Sequence, residues 1–269
     1  MTETVAMIGF GAIGVGVAEL FDKRVITESR LEHILIRDLN RVPGSWRHDP
    51  PGQFTTDASR LLNGRSTLVI EAAGHAALAE HGEAVLTSGK DLLVVSAGAL
   101  ADDALHHRLL AAARAGRSRL LIASGAIGGL DAISAARIGG LDEVTHTTRK
   151  NPRMLFPEHE ADEVLAEGTE RELFHGPARE GVRRFPENVN VAAAVSLAGL
   201  GFDRTTLRVI ADPSVERNTH EIVARGYFGE LRLEIRNIPS DANPKTGRIV
   251  ALSVAKALLN RTGFEIVGV

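Results

Sequence analysis

The sequence contains no cysteine among its 269 residues, so disulfide bonds, thiolate metal sites and cysteine nucleophiles are excluded. Aromatic residues make up only 4% of the chain, which argues against a stacking platform for bases or sugars. The formal net charge is −3 and no basic tract occurs, which argues against a nucleic-acid partner. No apolar run approaches the ~20 residues of a membrane-spanning helix. These absences favour a soluble globular protein.

The first residues, MTETVAMIGF, show no charged region followed by a long apolar segment and a cleavage site. We therefore expect a cytoplasmic protein with no membrane partner. Hydrophobic residues make up 44% of the chain, enough to bury one large core or two smaller ones. The histidines are scattered along the chain, so no metal site is predicted.

Short apolar segments alternate with helical segments through the first half of the chain. The apolar segments lie at 5–10, 33–38, 67–74, 91–100 and 119–124, with helical segments at 12–21, 76–86 and 102–115. This alternation is typical of parallel strands joined by helical crossovers. We predict a Rossmann-type α/β domain over 1–123.

The second half has a different pattern, with strands predicted at 143–149 and 205–212 and a helix at 188–200. An acidic segment at 158–172 is predicted to be an exposed helix. We predict an α+β domain with a largely antiparallel sheet over 124–243, serving substrate binding, catalysis and oligomerisation. Apolar residues at helical spacing then predict a terminal helix, capped by Asn243, that returns over 244–269 to the first domain.

The motif Gly9-Phe10-Gly11-Ala12-Ile13-Gly14 follows a predicted strand and opens a predicted helix. In this position the glycines Gly9, Gly11 and Gly14 permit a tight turn, close approach to a pyrophosphate and close helix–strand packing. The free N–H groups at the helix start, from residues such as Ala12 and Ile13, favour phosphate binding. The motif predicts a dinucleotide cofactor.

Asp38 ends the second predicted strand, where an acidic side chain binds the ribose hydroxyls of NAD. Arg37 and Arg41 flank it, and an arginine in this position accepts the 2′-phosphate of NADP. The sequence therefore favours NAD and leaves NADP open.

Four further segments carry candidate binding groups. The segment 124–133, SGAIGGLDAI, joins the two predicted domains and either lets a flat ring approach closely or serves as a hinge; its Ser124 is a candidate for a substrate carboxylate. Asn190 lies in the first turn of a predicted helix, where it can present its amide to a cleft, whereas Asn188 is predicted to cap that helix. Lys245 is predicted at a helix start, where its side chain either is solvated or binds a carboxylate. The basic run at 149–153 is predicted to be a solvated loop, with an anionic substrate site as the alternative.

His220 lies in ERNTHEI, on a predicted strand that pairs with the alternating segment 231–236. Asn218, His220, Ile222 and Ala224 share the less charged face of this strand. His220 therefore points to a core or a cleft. A single histidine in such a place is more often a hydrogen-bonded structural residue than a catalyst, and the strand pattern leaves both roles open.

The chain resembles the L-aspartate dehydrogenase family. The resemblance spans nearly the whole chain and is carried by six segments in order: GFGAIG (9–14), SAGAL (96–100), SGAIGGLDAI (124–133), FPENVNVA (185–192), ADPSVERNTHEI (211–222) and NPKTGRIVALSVAKAL (243–258). The glycine motif is common to many dinucleotide enzymes, whereas the later segments are more specific.

The resemblance implies NAD(P)-dependent oxidative deamination of L-aspartate to iminoaspartate, then oxaloacetate and ammonia, with a possible place in NAD biosynthesis. It implies that His220 is the catalytic histidine and that Ala126 and Asn190 contact the cofactor. Substrate carboxylates are expected to meet Ser124, Asn190 and Lys245. A homo-oligomer, most simply a homodimer, is also implied.

Two alternatives remain from the sequence. The two-domain plan also resembles homoserine dehydrogenase and dihydrodipicolinate reductase, so another small dicarboxylate or amino acid could be the substrate. A binding protein that senses NAD(H) without turnover is the other alternative.

Overall fold

The structure is a computed structural model and describes residues 2–48, 50–185, 189–240 and 243–268. The chain divides into two compact units, one of Met1–Gly125 with Val250–Val269 and the other of Ala126–Ile249. The sequence analysis places these two boundaries after residue 123 and before residue 244. In the described part of the chain, no helix combines the length and the apolar composition needed to cross a bilayer.

The first unit is built on a sheet of six parallel strands in the order β3-β2-β1-β4-β5-β6. The strands are β1 (Glu3–Ile8), β2 (Ser29–Leu35), β3 (Gln53–Thr55), β4 (Leu68–Glu71), β5 (Asp91–Val94) and β6 (Leu120–Ile122). The helices of this unit are α1 (Ala12–Asp22), α2 (Ser59–Asn63), α3 (His75–Thr87), α4 (Asp103–Gly116) and, from the end of the chain, α9 (Ile249–Thr262). This order confirms the predicted Rossmann-type sheet.

The central strands of this sheet are mostly apolar because both of their faces are buried. All four residues of β4 and of β5 are buried. The edge strand β3 and the short helix α2 have no counterpart in the sequence analysis, since segments this short show no clear periodicity.

Helix α9 is anchored to the first unit by an ion-pair network with little exposure to solvent. Arg261 donates to Glu3 Oε1 at 2.6 Å and to Asp91 Oδ2 at 2.7 Å. Burial opposes ionisation of Asp91, but hydrogen bonds from Arg119 and Arg261 outweigh it and hold its pKa below the ordinary value. The network fixes the last helix against the N-terminal ends of β1 and β5.

The start of the terminal helix differs from the prediction. Strand β13 (Asn243–Gly247) pairs with β12 (Pro239–Ser240), and α9 begins only at Ile249. Asn243 is therefore not a helix cap, and Lys245 lies in a strand rather than at a helix start. Pairing with β12 supplies the backbone hydrogen bonds that the predicted first helical turn would have made.

The second unit is built on a five-stranded sheet in the order β11-β10-β7-β9-β8. Its strands are β7 (Leu141–Lys150), β8 (Arg171–Pro177), β9 (Thr206–Ala211), β10 (Asn218–Gly226) and β11 (Gly229–Asn237). The pair β7–β9 is parallel and the other pairs are antiparallel, which confirms the predicted largely antiparallel sheet. Its helices are α5 (Leu130–Gly139), α6 (Glu158–Glu167), α7 (Ala178–Arg184) and α8 (Val189–Ala198).

Two predictions in this unit are corrected. The acidic segment 158–172 is not one helix, because α6 ends at Glu167 and β8 begins at Arg171. Gly168, at φ 68°, ends the helix in the left-handed conformation that glycine adopts most easily. The basic residues Arg149 and Lys150 are not in a solvated loop, since they form the end of β7.

Helices α5 and α8 cover part of one face of this sheet with an apolar core. Ile133 and Val195 of the helices pack with Val144, Ile222 and Ala224 of the strands, and all five are buried. Polar residues occupy the same face farther along β7 and β10. The candidate site of the second unit lies among these polar residues.

Candidate functional site

The glycine motif of the first unit has the geometry that its sequence predicts. A Cβ on Gly9, at φ +97°, would lie 2.7 Å from the carbonyl oxygen of Ala72, and a Cβ on Gly14 would lie 2.5 Å from the carbonyl oxygen of Gly9. Gly11 precedes α1, and a Cβ there would meet nothing within 4 Å. Two glycines are thus required by packing, whereas the third leaves open space at the start of a helix.

A buried carboxylate fixes the loops that follow β4 and β5. Glu71 is fully buried, and its Oε1 accepts hydrogen bonds from the backbone N–H groups of Ala73 and Gly74, both at 2.8 Å. Ser96 donates to the same side chain through its hydroxyl at 3.0 Å and through its N–H at 3.1 Å. Since Gly9 rests against Ala72, Glu71 indirectly supports the glycine loop. The sequence analysis missed this residue, which looks like an ordinary strand end.

Asp38 is partly exposed after β2, and its Oδ1 accepts from the N–H of Asn40 at 2.9 Å. Arg41 approaches it, with Nε 3.8 Å from Oδ2, and Arg37 is exposed beside it. This arrangement of one acidic and two basic side chains is compatible with either NAD or NADP, so the structure does not change the conclusion drawn from the sequence.

The segment between β6 and α5 is held by a side chain in each unit. In the first unit, Ser124 is half-buried and the N–H of Gly125 donates to Ser253 Oγ at 3.1 Å. In the second unit, Asn237 Nδ2 donates to the carbonyl oxygen of Ala126 at 3.0 Å. Ser253 and Asn237 are anchors that the sequence analysis did not identify.

The other predicted ligands differ in how far the structure describes them. Asn190 is the second residue of α8 and is exposed. Asn188, the predicted cap of this helix, lies outside the described residues. Lys245 lies in β13, and its side chain is also outside the described part of the chain. The roles of Asn190 and Lys245 therefore stay predictions.

His220 is buried on β10, opposite Thr148 of β7, so the two side chains share one face of the sheet. His146 lies two residues before Thr148 and therefore on the same face. Its Nε2 is 3.2 Å from Nδ1 of His220, within hydrogen-bond distance. The period-two prediction for the face of His220 is correct, but the sequence analysis missed His146.

Both rings of this histidine pair resist protonation. Burial, with the charge of Lys150 as the second cause, lowers the pKa of His220 to about 4. Burial and the neighbouring His220 hold the pKa of His146 well below its ordinary value. Both histidines are therefore neutral at pH 7.

Lys150 lies on the same face of β7 and is only 4% exposed. Buried lysines are uncommon, because removing an ammonium group from water is costly. Thr148 Oγ1 and His146 Nδ1 are also buried, and neither has a hydrogen-bond partner among the described residues. A buried polar atom without a partner needs an explanation, and a functional role is one.

The opposite face of the same strands carries a separate charged network. Arg149 donates to Glu221 at 2.8 Å and to Asp212 at 3.1 Å, and it also pairs with Glu170. These residues line a groove of about 640 Å³. Among the described residues, no group of three or more acidic or histidine side chains could hold a metal ion.

The two parts of the chain match different protein-family models. Residues 9–123 match the NAD-binding domain of homoserine dehydrogenase, and residues 131–261 match the C-terminal domain of aspartate dehydrogenase.

Curated relatives match over nearly the whole chain. L-aspartate dehydrogenase 2 of Bordetella pertussis is 44% identical over 258 residues, which cover 94% of this chain and 95% of that protein. L-aspartate dehydrogenase of Ralstonia pickettii is 43% identical over 264 residues, covering 96% and 97%. The crystal structure of aspartate dehydrogenase from Thermotoga maritima superposes with a TM-score of 0.77 at 25% identity, and each chain is fully covered.

The glycine loop predicts different outcomes for two similar substitutions. Gly14→Ala forces a methyl group against the Gly9 carbonyl, so we expect a loss of about 1–3 kcal/mol in stability. Gly11→Ala meets no atom and keeps an extended backbone (φ −80°), so its melting temperature should match the wild type. Its methyl group should nevertheless weaken NADH binding by roughly tenfold or more, because it fills the space where a pyrophosphate approaches. Differential scanning fluorimetry and NADH fluorescence titration measure both effects; unchanged NADH binding by Gly11→Ala would contradict the site.

The histidine pair predicts a pH dependence of stability. The pKa of His220 is about 4 when folded and 6.5 when unfolded, so the unfolded chain binds more protons between these values. The stabilisation is complete above about pH 6.5 and is lost as the pH falls towards 4. We expect NMR ring signals of His220 that do not titrate near pH 6.5, and a shallower fall of melting temperature over this range in His220→Gln. The matched control is His175→Gln at an exposed strand position; a His220 midpoint near 6.5 would contradict the prediction.

Proposed function

Because the chain belongs to the L-aspartate dehydrogenase family, we propose that it catalyses the reversible, NAD(P)-dependent oxidative deamination of L-aspartate. The products are iminoaspartate and, after hydrolysis, oxaloacetate and ammonia. The observation that carries the proposal is His220, a buried neutral histidine that shares a polar sheet face with Lys150.

The first unit fits a dinucleotide. The space at Gly11, which a side chain would fill, and the N–H groups at the start of α1 are suited to a pyrophosphate. Ala12 and Ile13 supply the first of these groups, and Asp38 is the candidate for the ribose hydroxyls. A bound NAD or NADP supplies the acceptor for the hydride that leaves the α-carbon of the substrate.

We assign His220 the role of base. Its Nδ1 is next to His146, so Nε2 is the nitrogen left for proton transfer. Water that adds to the C=N carbon of iminoaspartate must lose a proton, and a neutral imidazole can accept it. A pKa of about 4 makes the free protein's histidine a weak base at pH 7. The two carboxylates of bound aspartate would raise this pKa, because nearby negative charge favours imidazolium.

The remaining assignments extend the proposal. Ala126 and Asn190 are proposed cofactor contacts, and Ser124, Asn190 and Lys245 are proposed substrate contacts. To these we add Lys150, whose buried ammonium suits a substrate carboxylate. A homodimer, a cytoplasmic location and a supply of iminoaspartate to NAD biosynthesis also stay predictions.

The activity is tested by initial rates of NADH and NADPH formation with L-aspartate, D-aspartate, L-glutamate and L-homoserine. We expect turnover with L-aspartate alone. Since a general base contributes about 10²–10⁴-fold, His220→Gln should lose that factor in kcat while NADH binding is retained. The exposed His175→Gln should keep wild-type rates.

The result also separates the alternatives. Turnover confined to L-homoserine or another amino acid would assign the chain to a neighbouring dehydrogenase activity. NADH binding without turnover of any amino acid would favour the sensing function. Wild-type rates in His220→Gln would remove His220 from the mechanism.

Lys150 gives a second test of the substrate site. Lys150→Met removes the buried charge and keeps the length of the side chain, so we expect KM for L-aspartate to rise at least about tenfold, the effect of losing one charge-assisted bond. NADH binding should be unchanged, Lys150→Arg should retain part of the affinity, and the exposed Lys23→Met should have no effect. A KM within twofold of wild type in Lys150→Met would exclude the carboxylate contact.

A further inference from the structure

His220 has a proposed role as the base, whereas its neighbour His146 has no role in the function proposed above. His146 is fully buried on β7, and among the described residues the one hydrogen-bond contact of its side chain is Nδ1 of His220. The rings are tilted by 33° with centroids 5.3 Å apart, so they meet through their nitrogens rather than as a stack. A ring used only for packing has no need of this arrangement.

We propose that His146 is a positioning residue, which holds the His220 ring by Nδ1 and leaves Nε2 of His220 for proton transfer. The proposal rests on the proposed function, in which His220 is the base. His146 touches neither substrate nor cofactor in this role and acts through His220 alone.

The hydrogen shared by the pair has a defined place in this arrangement. His220 accepts a proton at Nε2 only when its own hydrogen is on Nδ1, so that hydrogen is donated to Nε2 of His146. When water adds to the imine carbon, its proton moves to Nε2 and His220 becomes imidazolium. The Nδ1–H stays bonded to His146 throughout, and the proton on Nε2 is later released to solvent.

The burial of His146 keeps it an acceptor. A protonated His146 would have hydrogens on both nitrogens and would repel the Nδ1–H of His220. Burial and the neighbouring ring hold its pKa well below the ordinary value, so Nε2 keeps its lone pair. His146 thus orients a base as the aspartate of a Ser-His-Asp triad does, but without a negative charge.

The arrangement has an energetic cost that a purely structural residue would avoid. In this tautomer His146 has its own hydrogen on Nδ1, for which the described residues offer no acceptor. Among the described residues of the two strands that pair with β10, the titratable neighbours of His220 on this face are His146 and Lys150 of β7, whereas β11 presents Ile235 and Asn237. A buried unpaired group beside a proposed base is expected where function outweighs stability.

The test compares His146→Leu with His146→Gln. Leucine fills the space without an acceptor, so we expect kcat to fall by about 10- to 100-fold, the usual cost of losing an outer hydrogen-bond partner in metal sites. KM for L-aspartate and NADH binding should change little, and the melting temperature should stay equal or rise. Glutamine offers an oxygen to Nδ1–H and should restore part of kcat. A kcat within twofold of wild type in His146→Leu would overturn the proposal.

A spectroscopic measurement makes the test independent of activity. In protein labelled with ¹⁵N-histidine, one- and two-bond correlations show which ring nitrogen holds the hydrogen, and His220→Gln identifies the signal. We expect hydrogen on Nδ1 of His220 in the wild type and on Nε2, the form that free histidine prefers, in His146→Leu. Hydrogen on Nε2 in the wild type overturns the proposal even if the enzyme is active. Absent turnover contradicts the proposed function, whereas the tautomer still decides whether His146 holds His220.

Discussion

The antiparallel register of β7 and β10 is the constraint on which the candidate site of the second unit depends. His220 stands opposite Thr148, so the inner face receives His146, Thr148 and Lys150 from one strand and His220 from the other. A shift of one residue would move all side chains of a strand to the other face. The outer-face network around Arg149 would then have to be buried in place of the histidines, and the apolar core under α5 and α8 opposes that exchange.

The face of the sheet that carries His220 has an apolar part and a polar part, which lie at different positions along the strands. Near Val144, Ile222 and Ala224 it is fully apolar and packed by helices. Farther along it contains a buried ammonium, two neutral rings and a threonine hydroxyl that has no partner among the residues that the structure describes. Because the two environments are separated along the strands, the free energy gained by burying the apolar core offsets the cost of burying the polar groups. That cost is largest where polar groups lack hydrogen-bond partners.

The sequence predicted those parts of the structure that are encoded locally. The glycine motif needs only a strand, a turn and a helix in succession, and the face of His220 follows from alternation within one strand. His146 could not be found in this way, because its partner lies 74 residues away and most residues of β7 are polar. The terminal helix was predicted correctly, but its start near residue 244 was wrong for a similar reason. Residues 243–247 pair with β12, and periodicity in a single segment does not reveal a pairing partner.

Electrostatics links the low basicity of His220 to the kind of substrate that the face can bind. In the free protein, burial and the charge of Lys150 both act against protonation of the ring. A ligand with two carboxylates would raise the pKa of His220 in two ways. One carboxylate can neutralise the charge of Lys150, and the other adds negative charge near the ring. A neutral or singly charged ligand would raise the pKa of His220 less, so the histidine would stay a poorer base. Under the proposed function, the buried lysine would therefore favour dicarboxylates through the proton-transfer step as well as through binding.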